Sequence, residues 1–262
     1  MLRALRTAAL GMNAQQTGVD TIAHNLANAN TTGFKQARVV FQDLLYQTIQ
    51  TPGQEEAQGI TPPASIQLGS GVAIVATVRQ FTQGSLIETG NALDLAINGD
   101  GFFQIRRPDG SIVYTRDGTF TLNANGTLVT QTGLPLEPEL NVPPDTIEIH
   151  ISQDGAVSVR LQGATESVEI GQLELARFPN PAGLRAIGGN LYEQTEASGF
   201  PILGPPGEAG FGTVRQGFLE AANVDIVQEM VNLITAQRAY EINSKMVTTS
   251  EEMLQTASQM KR

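Results

Sequence analysis

Side chains that could act as acids, bases or metal ligands are sparse in this chain of 262 residues. It has no cysteine, which excludes a catalytic thiol, a thiolate zinc site and a disulfide framework. Its two histidines, His24 and His150, leave little material for a histidine metal cage or a Ser-His-Asp triad. We expect His24 to make a polar contact on a helix and His150 to face solvent from a strand.

The carboxylates occur in pairs, such as Asp94 with Asp100, which is the residue type that general acid–base chemistry uses. Most acids next to glycine stand at turn positions, however, where aspartate forms local hydrogen bonds, so we expect turn roles for them. The Gly99-Asp100-Gly101 string has no following GK[ST] and is not a phosphate loop, and Asp94, Asp100 and Asp109 lack the spacing of a calcium loop. The sequence therefore predicts no catalytic residue, no bound metal, no cofactor and no enzymatic activity.

Charge is distributed unevenly along the chain. The formal net charge is -10, from 16 basic and 26 acidic residues, which argues against a nucleic-acid-binding protein. Residues 1–40 are net +3, residues 41–224 are net -12 and residues 225–262 are net -1. The opening string MLRALRTAALGMNAQQ is a poor secretory signal, and no apolar run approaches the roughly 20 residues of a membrane span. We therefore expect export, if it occurs, by a route without a cleaved signal peptide.

Glycine and proline separate the chain into three parts. All 13 prolines lie between Pro52 and Pro206, and 24 of the 27 glycines lie between Gly53 and Gly217. The last 45 residues contain neither. Because both residues oppose helix interiors and mark turns, this pattern predicts a helix at each end and a turn-rich middle.

The two terminal segments each carry apolar residues at heptad spacing, which is typical of helices that pack against another helix. We expect helices of about 28 and about 36 residues, the second capped by Asn223 or Asp225. Because the middle looks self-sufficient, we expect the helices to pair with each other and with copies of themselves. The apolar rows are Leu5, Met12, Val19, Ile22 and Leu26 at the start, and Ile226, Leu233, Tyr240, Val247 and Leu254 at the end.

The middle segment has the pattern of an antiparallel β-domain. Dipeptides of the type that closes β-hairpins alternate with short runs of period-two hydrophobicity, such as Val157, Val159 and Leu161. These dipeptides are Asn98-Gly99, Asp109-Gly110, Asp117-Gly118, Asn125-Gly126 and Asp154-Gly155. The fold class is thus predicted to be α+β, with the terminal helices paired as a coiled-coil-like stalk and a mainly antiparallel β middle domain.

Several long strings, in this order along the chain, resemble the flagellar rod and hook family of axial proteins. NLANANTTGFK (25–35) is similar to the family's N-terminal signature and RAYEINSKMVTTSEEML (238–254) to its C-terminal helix. The family's β-domain motifs are matched by DLAINGDGFFQI (94–105) and YTRDGTFTL (114–122), and the similarity continues through NLYEQT (190–195) and residues 216–234. The string FQDLLYQTIQTPG (41–53), together with the chain length, favours the rod segment next to the hook over the alternatives, a proximal rod subunit or a hook subunit.

The resemblance implies a structural subunit that polymerises into a rigid hollow driveshaft and transmits motor torque to the hook. It also implies three segments: a helical axial domain (1–32 with 223–262), an extended arm (33–71) and a β-rich outer domain (72–222). The alternative from a different functional class is a soluble binding module or hydrolase in which the terminal helices are peripheral to the β-domain. The implied partners are further copies of the chain, proximal rod proteins, the hook or its junction, the peptidoglycan-layer and outer-membrane ring proteins, and the type III export apparatus, in the periplasmic part of the basal body.

Two sets of residues would carry assembly under this hypothesis. The apolar rows, with Met230, would form the helix interface, and Asn25, Asn28 and Asn30 would hydrogen-bond across the helix ends. Gly33 would end the first helix as its C′ residue. An apolar cluster without an evident partner in its own loop would fill the gap between neighbouring subunits; with its flanking turn it comprises Leu44, Leu45, Tyr46, Ile49, Pro52 and Gly53.

Overall fold

A computed structural model describes residues 2–50, 65–163 and 166–260, and it confirms the α+β class. Helix α1 (Leu2–Ala27) has 26 residues and helix α2 (Ile226–Gln259) has 34, and the segment between them is built of strands. Asp225 caps α2, its carboxylate accepting hydrogen bonds from Val227 N and Gln228 N at 3.0 and 3.1 Å, so one of the two predicted caps is confirmed. Neither described helix is long and apolar enough to cross a membrane.

The strands are short, as the spacing of the turns predicts. They are β1 (Ala37–Asp43), β2 (Tyr46–Gln50), β3 (Ile66–Gly69), β4 (Val72–Arg79), β5 (Leu86–Glu88), β6 (Leu95–Asn98), β7 (Phe102–Arg106), β8 (Ile112–Thr115), β9 (Phe120–Leu122), β10 (Leu128–Thr130), β11 (Leu136–Glu137), β12 (Thr146–Ile151), β13 (Ala156–Leu161), β14 (Val168–Gln172), β15 (Leu175–Arg177), β16 (Arg185–Gly188), β17 (Leu191–Glu193), β18 (Ile202–Gly204), β19 (Thr213–Gln216) and β20 (Phe218–Glu220).

The chain divides into two compact units, each made of segments distant in sequence. Unit 1 comprises Met1–Leu26, Ala37–Val78 and Asp225–Arg262, and unit 2 comprises Ala27–Gln36 and Arg79–Val224. Unit 1 therefore contains the two helices, the pair β1–β4 and the hairpin β2–β3. Unit 2 contains all the other strands.

Unit 2 is built around a seven-stranded sheet with the order β16-β17-β8-β7-β15-β18 and β11 paired to β7. A three-stranded sheet (β12-β13-β14) and the pairs β19-β6, β9-β10 and β20-β5 complete it, and these pairings are antiparallel. Along β13 the predicted alternation is confirmed for Val157 and Val159, which are buried, whereas Leu161 is only half-buried. The main core joins side chains from both larger sheets, including Leu95, Ile97, Phe103, Ile105, Phe120, Leu128, Val157, Val159, Leu173 and Leu175.

Three of the five turn dipeptides close hairpins as predicted: Asp109-Gly110 joins β7 to β8, Asn125-Gly126 joins β9 to β10 and Asp154-Gly155 joins β12 to β13. The prediction is wrong for Asn98-Gly99 and Asp117-Gly118. After Asn98 the chain leaves β6, whose partner is β19 rather than β7. Likewise β8 pairs with β7 and β17, and β9 with β10, so these two dipeptides turn the chain between ladders.

The acidic residues near glycine have the local roles that the sequence predicts. Asp94 accepts hydrogen bonds from Thr89 Oγ1 at 2.6 Å and Asn91 Nδ2 at 3.0 Å. Asp109 accepts from the backbone and hydroxyl of Ser111, which lowers the pKa of that carboxyl. His150 is exposed on β12, as expected. Among the described residues, no group of histidine, aspartate and glutamate could hold a metal ion.

Candidate assembly interface

In unit 1 the two helices contact each other at two places, which fixes their direction. Asn25 Nδ2 donates a hydrogen bond to Glu229 Oε2 at 3.3 Å. At the second place, a Cβ atom on Gly11 would lie 3.0 Å from Asn243 Nδ2. Gly11 precedes Asn25 by the same number of residues as Asn243 follows Glu229, so α1 and α2 run antiparallel in one constant register.

The residues that the helices bury within one chain are small or polar. The buried positions of α1 are Ala8, Ala14, Gly18 and Asn25, and those of α2 are Glu229, Ala236 and Ser250. On α2 these positions, together with the half-buried Asn243, recur every seven residues and therefore share one face. We call these two rows the small-residue seam.

Asn25 joins three elements at one end of this seam. Its Oδ1 accepts a hydrogen bond from Ala37 N at 2.9 Å, and its Nδ2 donates to Ala37 O at 2.8 Å, in addition to the bond to Glu229. Asn25 is 2% exposed and Glu229 is 8% exposed. Glu229 lies in the first turn of α2, where the helix dipole favours a negative charge. The amide thus fixes the start of β1 and the start of α2 against the end of α1.

The large apolar residues singled out in the sequence flank the seam. Leu5, Met12, Val19, Ile22 and Leu26 of α1 are half-buried, as are Leu233, Val247 and Leu254 of α2, whereas Ile226, Met230 and Tyr240 are exposed. The row that contains Gly11, Gly18 and Asn25 was missed because glycine adds nothing to a hydrophobic pattern. The spacing of seven residues between Gly11, Gly18 and Asn25 was the sequence signal that could have identified this row.

Two other expectations for the end of α1 need correction or refinement. The helix ends at Ala27, so Gly33 is not its C′ residue; Gly33 has a φ of +67° in the connector within unit 2. Asn28 closes a local turn there, accepting hydrogen bonds on its backbone carbonyl from Thr31 N and on its Oδ1 from Thr31 Oγ1.

The first third of α2 has a second apolar face, which the sequence analysis did not identify. Val227, Val231 and Ile234 are 72%, 52% and 52% exposed. At 100° per residue they lie on the side of the helix opposite Glu229 and Ala236. Along the rest of α2 the same face carries mainly charged residues, Arg238, Glu241, Lys245 and Glu252, beside the exposed Ile242. We call Val227, Val231 and Ile234, with the adjacent Met230, the outer α2 face.

The predicted arm is a hairpin with one apolar side. Leu45 is 88% exposed and Tyr46 and Ile49 are also exposed, while Leu44 is half-buried and its N–H donates to Gly71 O. Because side chains alternate along a strand, Leu68 and Ile66 share a side of the hairpin, and Leu68 pairs there with Gln47. A hydrogen bond to Asp43 raises the pKa of Tyr46. Pro52 and Gly53 lie outside the described residues.

Models of three related families match this chain in order. The flagella basal body rod protein model matches residues 5–35, the flagellar hook protein FlgE/F/G D1 domain model matches residues 96–159, and the flagellar basal body rod FlgEFG protein C-terminal model matches residues 215–260. These matches include nearly all of α1, much of the β-rich unit 2 and the whole of α2.

Full-length relatives agree with these matches. The flagellar basal-body rod protein FlgG of Borreliella burgdorferi is 50% identical over 100% of both chains, and that of Agrobacterium fabrum is 49% identical over 98% of both. The flagellar basal-body rod protein FlgF of Caulobacter vibrioides is 36% identical over 95% of this chain and 94% of its own. The chain belongs to the FlgE/F/G family of flagellar basal-body rod and hook proteins.

Proposed function

We propose that this chain is a structural subunit of the distal rod, which polymerises into a rigid hollow shaft and transmits motor torque to the hook. Membership of the family and about half identity with FlgG relatives over the full length support a rod subunit. The observation that carries the assembly mechanism is the outer α2 face, which a single chain leaves in solvent. Exposed apolar surface of this kind marks protein–protein contact.

In this proposal the small-residue seam holds α1 against α2 within one subunit. The α1 row from Leu5 to Leu26 then meets the α2 row from Ile226 to Leu254 of a neighbouring copy, and the outer α2 face meets a different surface of a further copy. A shaft built this way needs two different complementary surfaces per subunit, because identical surfaces close into a dimer. The subunit has no catalytic role.

The partners and location follow from the same assignment. The shaft joins proximal rod proteins at one end and the hook or its junction at the other, in the periplasm, within the peptidoglycan-layer and outer-membrane rings. The subunit reaches its place through the flagellar type III export apparatus. The hairpin β2–β3, with Leu45 and Ile49, packs on a neighbouring subunit and stiffens the shaft.

The assembly mechanism is tested by placing charges on the outer α2 face. In Val231→Asp/Ile234→Asp, burial of the charges against a second copy is unfavourable, whereas in the monomer both side chains stay in water. We expect the wild-type chain to form large assemblies in sedimentation velocity and the double variant to sediment as a monomer with an unchanged circular dichroism spectrum. The exposed Gln237→Asp is the control, expected to assemble like wild type. Normal assembly of the double variant would contradict the proposal.

The position in the flagellum is a separate question with its own test. Immunogold labelling of isolated hook–basal bodies is expected to mark the rod immediately below the hook. Label on the hook or on the proximal rod would support the alternative family roles. A chain that stays monomeric at every concentration and is absent from these particles would favour a soluble binding module.

A further inference from the structure

Unit 2 contains three charged side chains buried together, which we call the ion cluster: Lys35, Arg116 and Glu220. Lys35 Nζ lies 2.7 Å from Glu220 Oε1, with both side chains fully buried. Arg116 Nη1 lies 3.4 Å from Glu220 Oε2, and Arg116 is 3% exposed. The three residues come from the start, the middle and the end of the sequence that forms unit 2.

One carboxylate thus serves two cations. Lys35 Nζ also donates to Thr82 O at 2.8 Å and Arg116 Nη2 to Gly99 O at 2.8 Å, while the buried Arg116 Nε has no hydrogen-bond partner. Burial lowers the pKa of Lys35, and the charge of Glu220 opposes that shift. Without Glu220, Lys35 and Arg116 would be buried beside each other with no carboxylate of the described residues within ion-pair distance of either.

The backbone around the ion cluster joins the same distant segments. Glu220 O accepts a hydrogen bond from Gly33 N at 2.8 Å, and Glu220 Oε1 accepts one from Gly84 N at 2.9 Å. Asn223 repeats the connection three residues further along the chain: its Oδ1 accepts from Gln36 N at 2.7 Å and its Nδ2 donates to Gln80 O at 2.8 Å. Residues 33–36, 80–84 and 220–223 are therefore fastened to one another by both charged and neutral bonds.

Stability alone does not explain an ion cluster at this place. Apolar residues of similar volume often stabilise a core as well as a buried ion pair does, whereas removing one partner of such a pair is strongly unfavourable. The distinctive property of the ion cluster is therefore that its charges can be buried favourably only when all three residues are in place. An apolar core could close around residues 33–36 before residue 220 arrives, but Lys35 and Arg116 cannot be buried until Glu220 is present.

We propose that the ion cluster is a closure device, which prevents unit 2 from completing its fold until residues 220–223 have joined residues 33–36. Residues 33–36 and the last strand, β20, are then incorporated into the fold in the same step. This inference concerns the order of folding and is independent of the role in the rod.

The test is the refolding rate of the full-length chain. The sequence has no tryptophan, and replacing Tyr46 and Tyr240 of unit 1 by Phe leaves Tyr114 and Tyr192 as fluorescence probes of unit 2. Glu220→Gln keeps the shape of the side chain and removes its charge. We expect it to slow refolding in stopped-flow experiments at least tenfold. Glu148→Gln, which breaks the exposed pair with Arg160, is the matched control and should change the rate less than twofold.

Two outcomes would overturn the proposal. If Glu220→Gln refolds at the wild-type rate and only unfolds faster, the ion cluster stabilises the finished fold without controlling closure. If Glu220→Gln does not fold, the variant Lys35→Met/Arg116→Met/Glu220→Met decides. The proposal requires this uncharged variant to refold at least as fast as wild type. Slower refolding, or failure to fold, would show that the charges are needed for the fold itself.

Discussion

Asn25 and Glu229 hydrogen-bond to each other at 3.3 Å although they stand at the end of the first helix and the start of the last one. Both side chains are buried, and the same amide also pairs with both backbone groups of Ala37. This one side chain therefore connects the N-terminal, connecting and C-terminal segments of unit 1.

We expect Asn25→Ala to destabilise unit 1. The substitution removes three hydrogen bonds and leaves the half-buried backbone groups of Ala37 and the buried Glu229 carboxylate short of partners, at a cost of about 2–4 kcal/mol. Urea unfolding followed by circular dichroism at 222 nm measures the change. Asn13→Ala, at an exposed position of the same helix, should leave the midpoint unchanged or raise it slightly; equal loss in both variants would contradict the role given to Asn25.

Gly33→Ala is expected to destabilise unit 2 by about 3 kcal/mol or more, from the strain of a left-handed backbone and from overpacking. The φ of Gly33 is +67°, and an added Cβ would lie 2.6 Å from Asp117 N. Gly110 has a similar φ of +83° with nothing within 4 Å, so Gly110→Ala isolates the strain and should cost about 1 kcal/mol. Similar midpoints for the two variants in urea unfolding would show that the close approach at Gly33 is unimportant.

The hairpin β2–β3 should affect the stiffness of assembled shafts more than the fold of the subunit. Deleting residues 46–63 removes one strand of this hairpin with its exposed Tyr46 and Ile49, and we expect shafts that bend more in electron micrographs. Leu45→Ser/Ile49→Ser should show the same trend while keeping the hairpin backbone. An unchanged bending stiffness in both variants would count against the contact with neighbouring subunits.

Stability should fall as the pH rises above 10, because burial raises the pKa of Tyr114 and Tyr192. Above the ordinary pKa of 10.0 the unfolded chain ionises these phenols while the folded chain keeps them protonated, so the folded state binds more protons and the free energy of unfolding decreases with pH. Urea unfolding at pH 8 and pH 10.5 measures this decrease.

Absorbance at 295 nm provides the check on the two phenols themselves. We expect part of the phenolate signal of the four tyrosines to appear only when unit 2 unfolds, and Tyr192→Phe to remove a portion of this late signal. Ionisation of all four tyrosines in one step near the ordinary value would contradict the burial of Tyr114 and Tyr192.

The elements that depend on local chemistry could be predicted from the sequence. The stretch without glycine or proline predicts α2, Asp225 predicts its N-terminal cap, and Asp109-Gly110 predicts a hairpin. Each of these signals acts over a few neighbouring residues. Contacts between distant residues could not be derived in this way. Nothing near Lys35 in the sequence indicates that Glu220 is its partner.

The helix contact was hard to predict for a different reason. Hydrophobic periodicity favours large side chains, and it selected the row from Leu5 to Leu26. The buried row through Gly18 consists of small and polar side chains, which a hydrophobic pattern does not register. The large residues flank the seam, where the sequence pattern alone cannot distinguish contact within a subunit from contact with a copy.

The outer α2 face also has a consequence for the cell. Under the proposed assembly, association of free copies through this face rises with their concentration, because the valine and isoleucine side chains stay in water until a neighbouring copy covers them. The pool of free subunits would then have to stay small, with the supply of new copies matched to their incorporation.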